Sequence, residues 1–447
     1  MQMDNQTTER AQTAPTPSLC RSLVGFAVAH ERTVVLALIA AGLALRLAYI
    51  WASRHIDFAP QEMARVAMAL AAGKGFSNAY GLPLPTAIVS PAYPLLTSVA
   101  YLLFEQRTAF IFLSFVSALF FSINTFVVGE LIRKVRASPG ARILGTGAVS
   151  CVPLNLYFDT LMGGEWELTF ISVILSLHLL HCARIATMSQ QGIRIAVVHG
   201  LSLGFIILTS AAFALAALAA SITAVIISHL GIVRAIRSIA ISGIVAADEI
   251  SPWVIRNAVV FGELILSRSN AGLEFAIGNH AKASARTFDT PGQAAHFGSI
   301  QPLHNAEARA RIQQIGEPAY FRALGAQSFE WVRQNPVDFV ALSLKRLRLY
   351  WFPDTGSWNK APYMPEIKAI TMWIVTLGVI ACGIQVLARR RREMYPALCV
   401  ALLSCAPYTI THVDLRYRYP VHALHVMMLM VAVTSLTRQS TNRATVP

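Results

Sequence analysis

Residues 54–94 read RHIDFAPQEMARVAMALAAGKGFSNAYGLPLPTAIVSPAYP. This stretch follows directly on a long apolar run, carries an acid at Asp57, and continues as a short amphipathic pattern that ends at Gly73-Lys74-Gly75. A proline-rich loop comes next. Ionisable groups are costly near lipid, so a carboxylate just after an apolar run indicates a functional position. The stretch therefore predicts a polar loop at the surface of a protein that otherwise lies in lipid.

The composition is typical of a membrane protein. Of the 447 residues, 55% are hydrophobic and 13% are charged, against about 25% charged in soluble proteins. The mean hydropathy is +0.52. About ten apolar runs approach the roughly 20 residues that cross a bilayer. They lie at about 33–53, 108–132, 142–161, 167–185, 194–210, 212–231, 238–256, 366–388, 394–411 and 420–437. We therefore predict an all-α polytopic membrane protein, a helical bundle of about ten transmembrane helices.

The positive charge predicts the orientation of the chain. The formal net charge is +14, which in a soluble protein would suggest nucleic acid. In a membrane protein, cytoplasmic loops carry excess Lys and Arg, so we predict no nucleic-acid partner. With both chain ends in the cytoplasm, the arginine clusters fall inside, provided that the short apolar run 92–104 lies on the surface or re-enters. The acidic and aromatic polar residues then converge outside.

These boundaries divide the chain into five parts. They are a cytoplasmic tail at 1–32, a transmembrane catalytic core at 33–256 that includes the outer loop 54–107, a periplasmic region at 257–350, C-terminal transmembrane helices at 351–437 and a cytoplasmic tail at 438–447. The periplasmic region carries helical periodicity at Ala306 to Ile315 and Tyr320 to Arg333. Residues 339–351 interleave Lys and Arg with Leu, Tyr and Trp, which predicts an interfacial amphipathic helix.

Asp57 is the strongest candidate for a catalytic residue. A base at the membrane surface could take a proton from an acceptor hydroxyl during displacement at a sugar carbon. The alternative is a helix N-cap or a salt bridge with Arg54 or Arg65. Glu62 follows as a substrate-binding candidate or a solvated acid. Lys74 could reach a phosphate as a point charge, or could cap the end of the helix.

Two further pairs of acids stand out. Glu165 and Glu167 lie at the outer end of a span, where one could orient an acceptor or hold a cation while the other is solvated. Asp248 and Glu249 lie inside the seventh span, about two turns before its outer end. Acids at that depth are expensive, so we expect them to face a cavity or a cation partner.

Outer arginines are the candidates for binding a lipid phosphate. Arg256-Asn257 follows a Pro-Trp pair at the end of the seventh span, although arginines at helix ends often only snorkel to the interface. Arg416 and Arg418 could bind a phosphate together, or they could anchor the chain at the membrane interface. Both readings stay open at this stage.

Metal and cofactor motifs are weak. The six cysteines form no Cys-x-x-Cys pair and are most simply small buried hydrophobes. His422 and His425 on the last span, with His412 before it, could bind a metal, but helix-packing histidines are the simpler reading. We assign no metal ligands and require no cofactor, although a divalent cation between paired acids and a phosphate would fit. A Gly-rich phosphate loop and a His-Glu-x-x-His motif are both absent, which excludes the soluble chemistries that use them.

Four stretches carry a family resemblance. They are 57–76 with 85–87 and 93–96, 167–170, PWVIRN at 252–257 with 261–262, 269–272 and 278–279, and 335–336 with 345–351 and 416–420. Together they cover most of Thr33 to Leu436. They resemble the GT-C glycosyltransferases, in particular the bacterial family-39-like branch related to protein O-mannosyltransferases and lipid A aminoarabinose transferases. Tyr93, in the first stretch, is a substrate-binding candidate.

The resemblance implies a GT-C fold and an inverting transferase that takes its sugar from a polyprenyl-phosphate donor. It implies that Asp57 is the catalytic base and that Glu167, or its neighbour Glu165, is the second acid. It puts Arg256 and Arg418 near the donor phosphate. The expected partners are the polyprenyl-phosphate sugar, membrane lipid and an acceptor glycan, lipid or protein. The expected location is the bacterial inner membrane, with the active site on the periplasmic face.

Other functions remain open from the sequence. A lipid-linked glycan polymerase or ligase would use a pyrophosphate-linked oligosaccharide instead. A transporter or flippase would use Asp248 and Glu249 as an ion path, but it leaves the ordered outer region unexplained. A non-catalytic scaffold would use that region to bind partners.

Overall fold

The computed structural model of the chain describes residues 25–54, 59–135, 137–151, 160, 167–188, 192–358 and 365–444. The regular elements of these residues are helices. In chain order they are α1 (Glu31–Ser53), α2 (Glu62–Ala71), α3 (Ala92–Leu103), α4 (Gln106–Lys134), α5 (Pro139–Cys151), α6 (Glu167–Ile185), α7 (Ile193–Thr209), α8 (Ala211–Ile226), α9 (Ile232–Phe261), α10 (Ala271–Gly278), α11 (Pro291–Ile300), α12 (Ala306–Ile315), α13 (Glu317–Gln334), α14 (Pro336–Trp351), α15 (Pro365–Ala388), α16 (Tyr395–Leu403), α17 (Ala406–Ile410) and α18 (Tyr419–Ala444). Short 3-10 turns lie at Thr355–Trp358, Arg392–Met394 and Leu415–Arg418.

The chain is a multi-pass helical membrane protein. Among the described residues, six helical segments are long and apolar enough to cross a membrane: α1, α4, α6, α9, α15 and the segment Arg392–Ile410. The predicted spans 194–210 and 212–231 form the shorter apolar helices α7 and α8. The run 92–104 forms α3, whose 12 residues measure about 18 Å and fall short of the bilayer core.

The spans pack into one bundle with a shared apolar core. Phe121 of α4, Leu175 of α6, Phe213 of α8, Val379 of α15 and Met427 of α18 are all buried in it. These side chains come from five helices that are far apart in sequence. The spanning helices contact one another on one face and lipid on the other. This explains why their sequences are apolar on all sides and show no strong amphipathic pattern.

Two glycines bring α7 and α9 close together. A Cβ on Gly200 would lie 2.6 Å from the Ser242 carbonyl oxygen, and one on Gly204 would lie 3.2 Å from the Ala246 Cα. Small residues four apart allow helix backbones to approach closely inside a membrane. The spacing of Gly200 and Gly204 therefore determines the contact between these two helices.

A second core lies in the polar block, which we define as residues 59–91 and 262–358. Val66 of α2, Leu273 of α10 and Phe321 of α13 are buried there together with Trp253, which enters from α9. The predicted helices at 306–315 and 320–333 are present as α12 and α13. The polar block is therefore a packed unit that rests on the end of α9.

The helix predicted at 339–351 is present as part of α14, but one of its basic residues lies elsewhere than the pattern suggested. Val337, Val340 and Leu344 are exposed, as expected of a face turned to lipid. Arg346 is not on the basic surface that the pattern suggested, because its side chain is 0% exposed. Its guanidinium donates to the Gly278 carbonyl and to Asn279 Oδ1 and thereby joins α14 to α10.

Candidate functional site

The end of α9 joins two loops of the polar block. The Arg256 guanidinium donates to the carbonyls of Phe76 and Thr86, at 2.8 and 2.9 Å, and to Asn257 Oδ1 at 2.8 Å. Asn257 is buried and donates to the Ile265 carbonyl at 2.9 Å. Trp253 donates to the Ser267 carbonyl at 2.8 Å. The motif that carried the family resemblance thus holds together the loops on either side of it.

A buried acid completes this junction from the other side. Glu317, at the start of α13, accepts hydrogen bonds from Tyr80 (2.9 Å), Thr86 (2.5 Å), the Ala87 amide (2.8 Å) and Ser269 (2.7 Å). Burial raises the pKa of Glu317, and these four hydrogen bonds oppose that shift. Burial raises the pKa of Tyr80 well above its usual value, and the nearby Glu317 charge adds to this shift. The loop at 76–90 is therefore held in one conformation beside α9.

A cavity of about 740 Å³ opens between this loop, α3, α7 and α9. Most of its lining is apolar. The lining includes Leu70, Phe76, Pro91, Leu95, Leu96, Phe205, Leu208, Trp253 and Val260. Three charged side chains also line it, namely Lys74, Glu249 and Arg256. The cavity can therefore take an apolar chain along its wall and an anion beside its two cations.

Lys74 reaches this cavity because of the glycines beside it. Gly73 and Gly75 have φ of +71° and +69°, the left-handed conformation that glycine adopts without strain. The Lys74 amide donates to the Ala69 carbonyl at 2.9 Å, which caps α2 through the backbone. The exposed Lys74 side chain lines the cavity. The backbone of Lys74 therefore caps the end of α2. Its side chain remains available to reach a phosphate in the cavity.

Glu249 lines the deeper part of the same cavity. Its carboxylate packs over Gly204 of α7, and its Oε2 atom is buried without a hydrogen-bond partner among the described residues. Seven residues separate Glu249 from Arg256 along α9, a rise of about 10 Å. The expectation that an acid at this depth faces a cavity holds for Glu249, whereas Asp248 is exposed.

A second cluster of charge surrounds Glu62 at the start of α2. Burial raises the pKa of Glu62, while its own backbone and the charges of Arg268, His304 and Arg416 lower it. Arg268 donates to the Ile88 carbonyl at 2.7 Å. The structure therefore brings together Glu62 and Arg416, which were predicted separately, and adds Arg268 and His304, which the sequence analysis did not single out.

Arg416 and Arg418 have different surroundings. Arg418 is 1% exposed and donates to His425 Nδ1 at 3.2 Å and to the Trp351 carbonyl at 3.0 Å. Arg416 is half-buried, lies 3.9 Å from the Asp414 carboxylate and stands near Glu62. These contacts favour a packing role for Arg418 and leave Arg416 as the arginine of the pair that adjoins the polar cluster.

Tyr93 and Glu167 come together from α3 and α6. Tyr93 is buried and packs against Phe170, with ring centroids 5.9 Å apart. The Glu167 carboxylate, at the first position of α6, acts electrostatically on the Tyr93 hydroxyl. Asp57 and Glu165 lie outside the described residues, so their catalytic roles stay predictions.

The structure also reveals residues that the sequence analysis missed. Arg268, His304 and Glu317 had no local signal, because their partners lie far away in the chain. His178, Cys182 and His199 form the one group in the described part of the chain whose ligand atoms could hold a metal ion. The spacing of His178 and Cys182, four residues apart on a helix, is a signal that could have found it. Glu249, the acid that lines the cavity, belongs to no such group among the described residues.

A second, apolar cavity of about 590 Å³ lies on another side of the bundle. It is bounded by α14, α15 and α16 and contains one charged lining residue, Arg348. Its lining includes Leu344, Trp351, Ile380, Ile384, Leu398 and Leu402. Among the described residues, this cavity lacks the paired cations of the first one.

No protein-family model matches the sequence, and no curated protein matches it. By fold, the chain is similar to solved oligosaccharyltransferases, which agrees with the GT-C fold that the sequence resemblance implied. The archaeal oligosaccharyltransferase AglB of Archaeoglobus fulgidus, solved with an inhibitory peptide and a dolichol-phosphate, aligns at a TM-score of 0.53 and 12% identity over 93% of this chain and 51% of that one.

The oligosaccharyltransferase of the same organism in its apo form aligns at a TM-score of 0.54 and 13% identity, over 93% of this chain and 52% of that one. Its complex with zinc and sulfate gives a TM-score of 0.50 and 13% identity, over 92% and 50% of the two chains. The chain thus spans about half the length of the solved structures that it matches. The likeness establishes the fold of the chain.

Proposed function

We propose that the chain is an inverting membrane glycosyltransferase that takes a sugar from a polyprenyl-phosphate donor. The observation that carries the proposal is the cavity that combines an apolar wall with the cations Lys74 and Arg256. An isoprenoid tail needs an apolar surface open to lipid, and a phosphate needs positive charge at the boundary of that surface. Fold neighbours that include an oligosaccharyltransferase solved with a dolichol-phosphate support this choice.

The reaction needs few groups, because a polyprenyl phosphate is already a reasonable leaving group. In the proposed step, the acceptor oxygen attacks the anomeric carbon while its proton passes to the Asp57 carboxylate. The bond between that carbon and the phosphate oxygen breaks, and the electron pair leaves with the polyprenyl phosphate. Lys74 and Arg256 stabilise the charge that develops on this phosphate. The proposal puts this chemistry at the periplasmic face of the bacterial inner membrane.

The cluster around Glu62 offers a binding surface for the polar part of the substrates. Arg268, His304 and Arg416 adjoin Glu62, and the loop at 76–90 connects this cluster to Lys74 and Phe76 in the cavity. We assign the sugar or the acceptor to this cluster, since both are hydrophilic and both must approach the donor phosphate. A divalent cation held by Asp57 and Glu165 or Glu167 would add Lewis-acid assistance at the phosphate.

Transfer of a whole lipid-linked glycan is the second candidate. The fold neighbours are oligosaccharyltransferases, and one is solved with a tethered acceptor peptide containing an NVT sequon. That reaction would use the same cavity for the lipid and would require an oligosaccharide donor linked through a phosphate or pyrophosphate. The two candidates differ in the donor that turns over.

The test is sugar transfer by the purified protein in lipid nanodiscs. Radiolabelled polyprenyl-phosphate monosaccharides and a lipid-linked oligosaccharide are supplied in parallel, with envelope lipids and protein as acceptors. We expect label transfer from a monosaccharide donor, its loss in Asp57→Asn, and wild-type rates in Asp338→Asn, which alters an exposed acid at the start of α14. Transfer that is unchanged in Asp57→Asn would refute the base assignment, and turnover of the oligosaccharide alone would select the second candidate.

A further inference from the structure

Three metal-ligating side chains meet inside the bundle, away from the cavity. His178 and Cys182 lie one turn apart on α6, and His199 lies on the neighbouring α7. Their ligand atoms are all within 4.8 Å of one another, and His178 Nε2 is 3.5 Å from Cys182 Sγ. The two imidazole rings stack with centroids 4.8 Å apart. All three side chains are buried, at 0% to 2% exposure.

His199 has no hydrogen-bond partner for either of its ring nitrogens among the described residues, although it is 2% exposed. A buried polar group without a partner destabilises the folded state, because its desolvation is not compensated. Buried side-chain nitrogens are nearly always satisfied, so two unsatisfied nitrogens on one ring indicate a missing partner. A metal ion between the three side chains would supply it.

His178 has a hydroxyl partner at Nδ1 of the kind that metal-bound histidines use. Its Nδ1 lies 2.8 Å from Ser202 Oγ, and that hydroxyl donates to the His199 carbonyl at 2.8 Å. Nε2 lies 3.5 Å from Cys182 Sγ, 3.0 Å from Ser221 Oγ and 3.2 Å from the Ala217 carbonyl of α8. A metal ion at Nε2 therefore requires Nδ1 to carry the ring proton and to donate it to Ser202 Oγ. Histidine ligands commonly donate their second ring N–H to such a partner, which fixes the tautomer.

We propose that His178, Cys182 and His199 bind one cuprous ion. The thiol of Cys182 releases its proton to the aqueous buffer as the copper–sulfur bond forms, and the two neutral imidazoles complete a three-coordinate site. The site then carries no net charge, because the thiolate balances Cu(I). A zinc ion with the same ligands would leave a net positive charge in an apolar interior, where unpaired charge is costly. Soft thiolate ligands also favour Cu(I), whereas structural zinc usually takes four ligands.

The separations are compatible with this assignment. Three ligand atoms arranged around one ion at about 2.0–2.3 Å lie about 3.5–4.0 Å apart, and the three ligand atoms here lie within 4.8 Å of one another. Movement of the His199 ring, which makes no hydrogen bond among the described residues, would bring the ligand atoms to this separation. The site lies toward the end of α6 that is remote from Glu167, so we assign it a role separate from sugar transfer.

The test is copper loading of the full chain, purified in detergent and incubated with Cu(I) under ascorbate. Elemental analysis should give about one copper per chain for the wild type. His199→Ala and Cys182→Ser should each lower the affinity for copper at least about tenfold, measured by competition with a Cu(I) chelator. His181→Ala, which removes a half-buried histidine on the same helix, should load as the wild type does.

Two controls keep the result interpretable. Size-exclusion profiles establish that each variant is folded, and Cu(I) should raise the melting temperature of the wild type but not of His199→Ala, because a ligand stabilises only the state that binds it. Loading that His199→Ala leaves unchanged would overturn the site. Equal loading of the wild type with zinc would overturn the choice of copper.

Discussion

Arg256 Nη2 donates to the Phe76 carbonyl at a distance of 2.8 Å, and this hydrogen bond joins the end of a membrane-spanning helix to the loop that forms the wall of the cavity. The Arg256 guanidinium also stands over the Phe76 ring, 5.6 Å from its centroid. The same cation therefore orders the loop and keeps positive charge beside the cavity. This double role leads to different expectations for the two cations that line it.

Arg256→Ala should affect both stability and donor binding. Loss of its hydrogen bonds to Phe76, Thr86 and Asn257 leaves buried acceptors unsatisfied, so the free energy of unfolding should fall by about 3 kcal/mol. Binding of polyprenyl phosphate should weaken more than binding of the acceptor. Thermal unfolding and equilibrium binding in detergent measure the two effects.

Lys74→Ala is the matched variant for charge alone. The Lys74 side chain is exposed, and its backbone caps α2 irrespective of the side chain. Its removal should change stability by less than about 0.5 kcal/mol, while weakening polyprenyl-phosphate binding about tenfold, the equivalent of about 1.4 kcal/mol. Equal binding by Lys74→Ala and the wild type would exclude a phosphate beside Lys74.

Filling the cavity should block the donor tail. Leu208→Trp adds a large ring to the apolar wall, and we expect it to abolish binding of long-chain polyprenyl phosphate but to spare a water-soluble phosphate analogue. Leu215→Trp, on the exposed face of α8 and away from the cavity, is the control. A scintillation binding assay distinguishes them. Retained tail binding in Leu208→Trp would show that the tail lies elsewhere.

The burial of Glu62 predicts a specific dependence of stability on pH. Its pKa is raised above 4.5 in the folded state, so the folded state holds this proton more tightly than the unfolded state. The resulting stabilisation is complete below pH 4.5 and is lost as pH rises through the folded pKa. Melting temperatures measured from pH 4.5 upward should show this loss in the wild type and in Glu307→Gln, an exposed acid on α12. Glu62→Gln should lack this pH-dependent loss of stability. A pH dependence of the melting temperature that is the same in Glu62→Gln and the wild type would contradict the raised pKa of Glu62.

Gly278→Ala should destabilise the polar block. A Cβ at this position would overlap the Thr411 carbonyl, and the Asn279 side chain beside it donates to the Ile410 carbonyl at 2.9 Å. Overpacking of this kind should cost about 2–3 kcal/mol. Gly298→Ala, on α11 with nothing within 4 Å, should instead stabilise by about 0.5–1 kcal/mol. Urea unfolding of the two variants checks the difference in sign.

The fold was largely predictable because hydropathy reports burial in lipid directly. The long apolar runs became α1, α4, α6, α9 and α15. Periodicity also located α12 and α13, since each has a buried stripe. Arg346 was misread because a single basic residue on an amphipathic helix does not reveal which carbonyls it will meet; here they belong to α10.

The site was predictable only in part. Residues in local motifs, such as Lys74 between glycines and Arg256 after Pro-Trp, were found and line one cavity. Glu317 was not, because its four donors come from residues 80–87 and 269, more than 45 positions away. Likewise, His199 joins His178 and Cys182 only once α7 packs against α6.

The location of the donor is the most direct test of this account. A polyprenyl-phosphate sugar with a photoreactive diazirine in its tail is cross-linked to the purified protein, and the modified peptides are identified by mass spectrometry. We predict adducts at the walls of the 740 Å³ cavity, on Leu95, Leu208 and Val260, that excess unlabelled donor removes. Adducts confined to the second cavity, at Leu344 and Ile380, would contradict it.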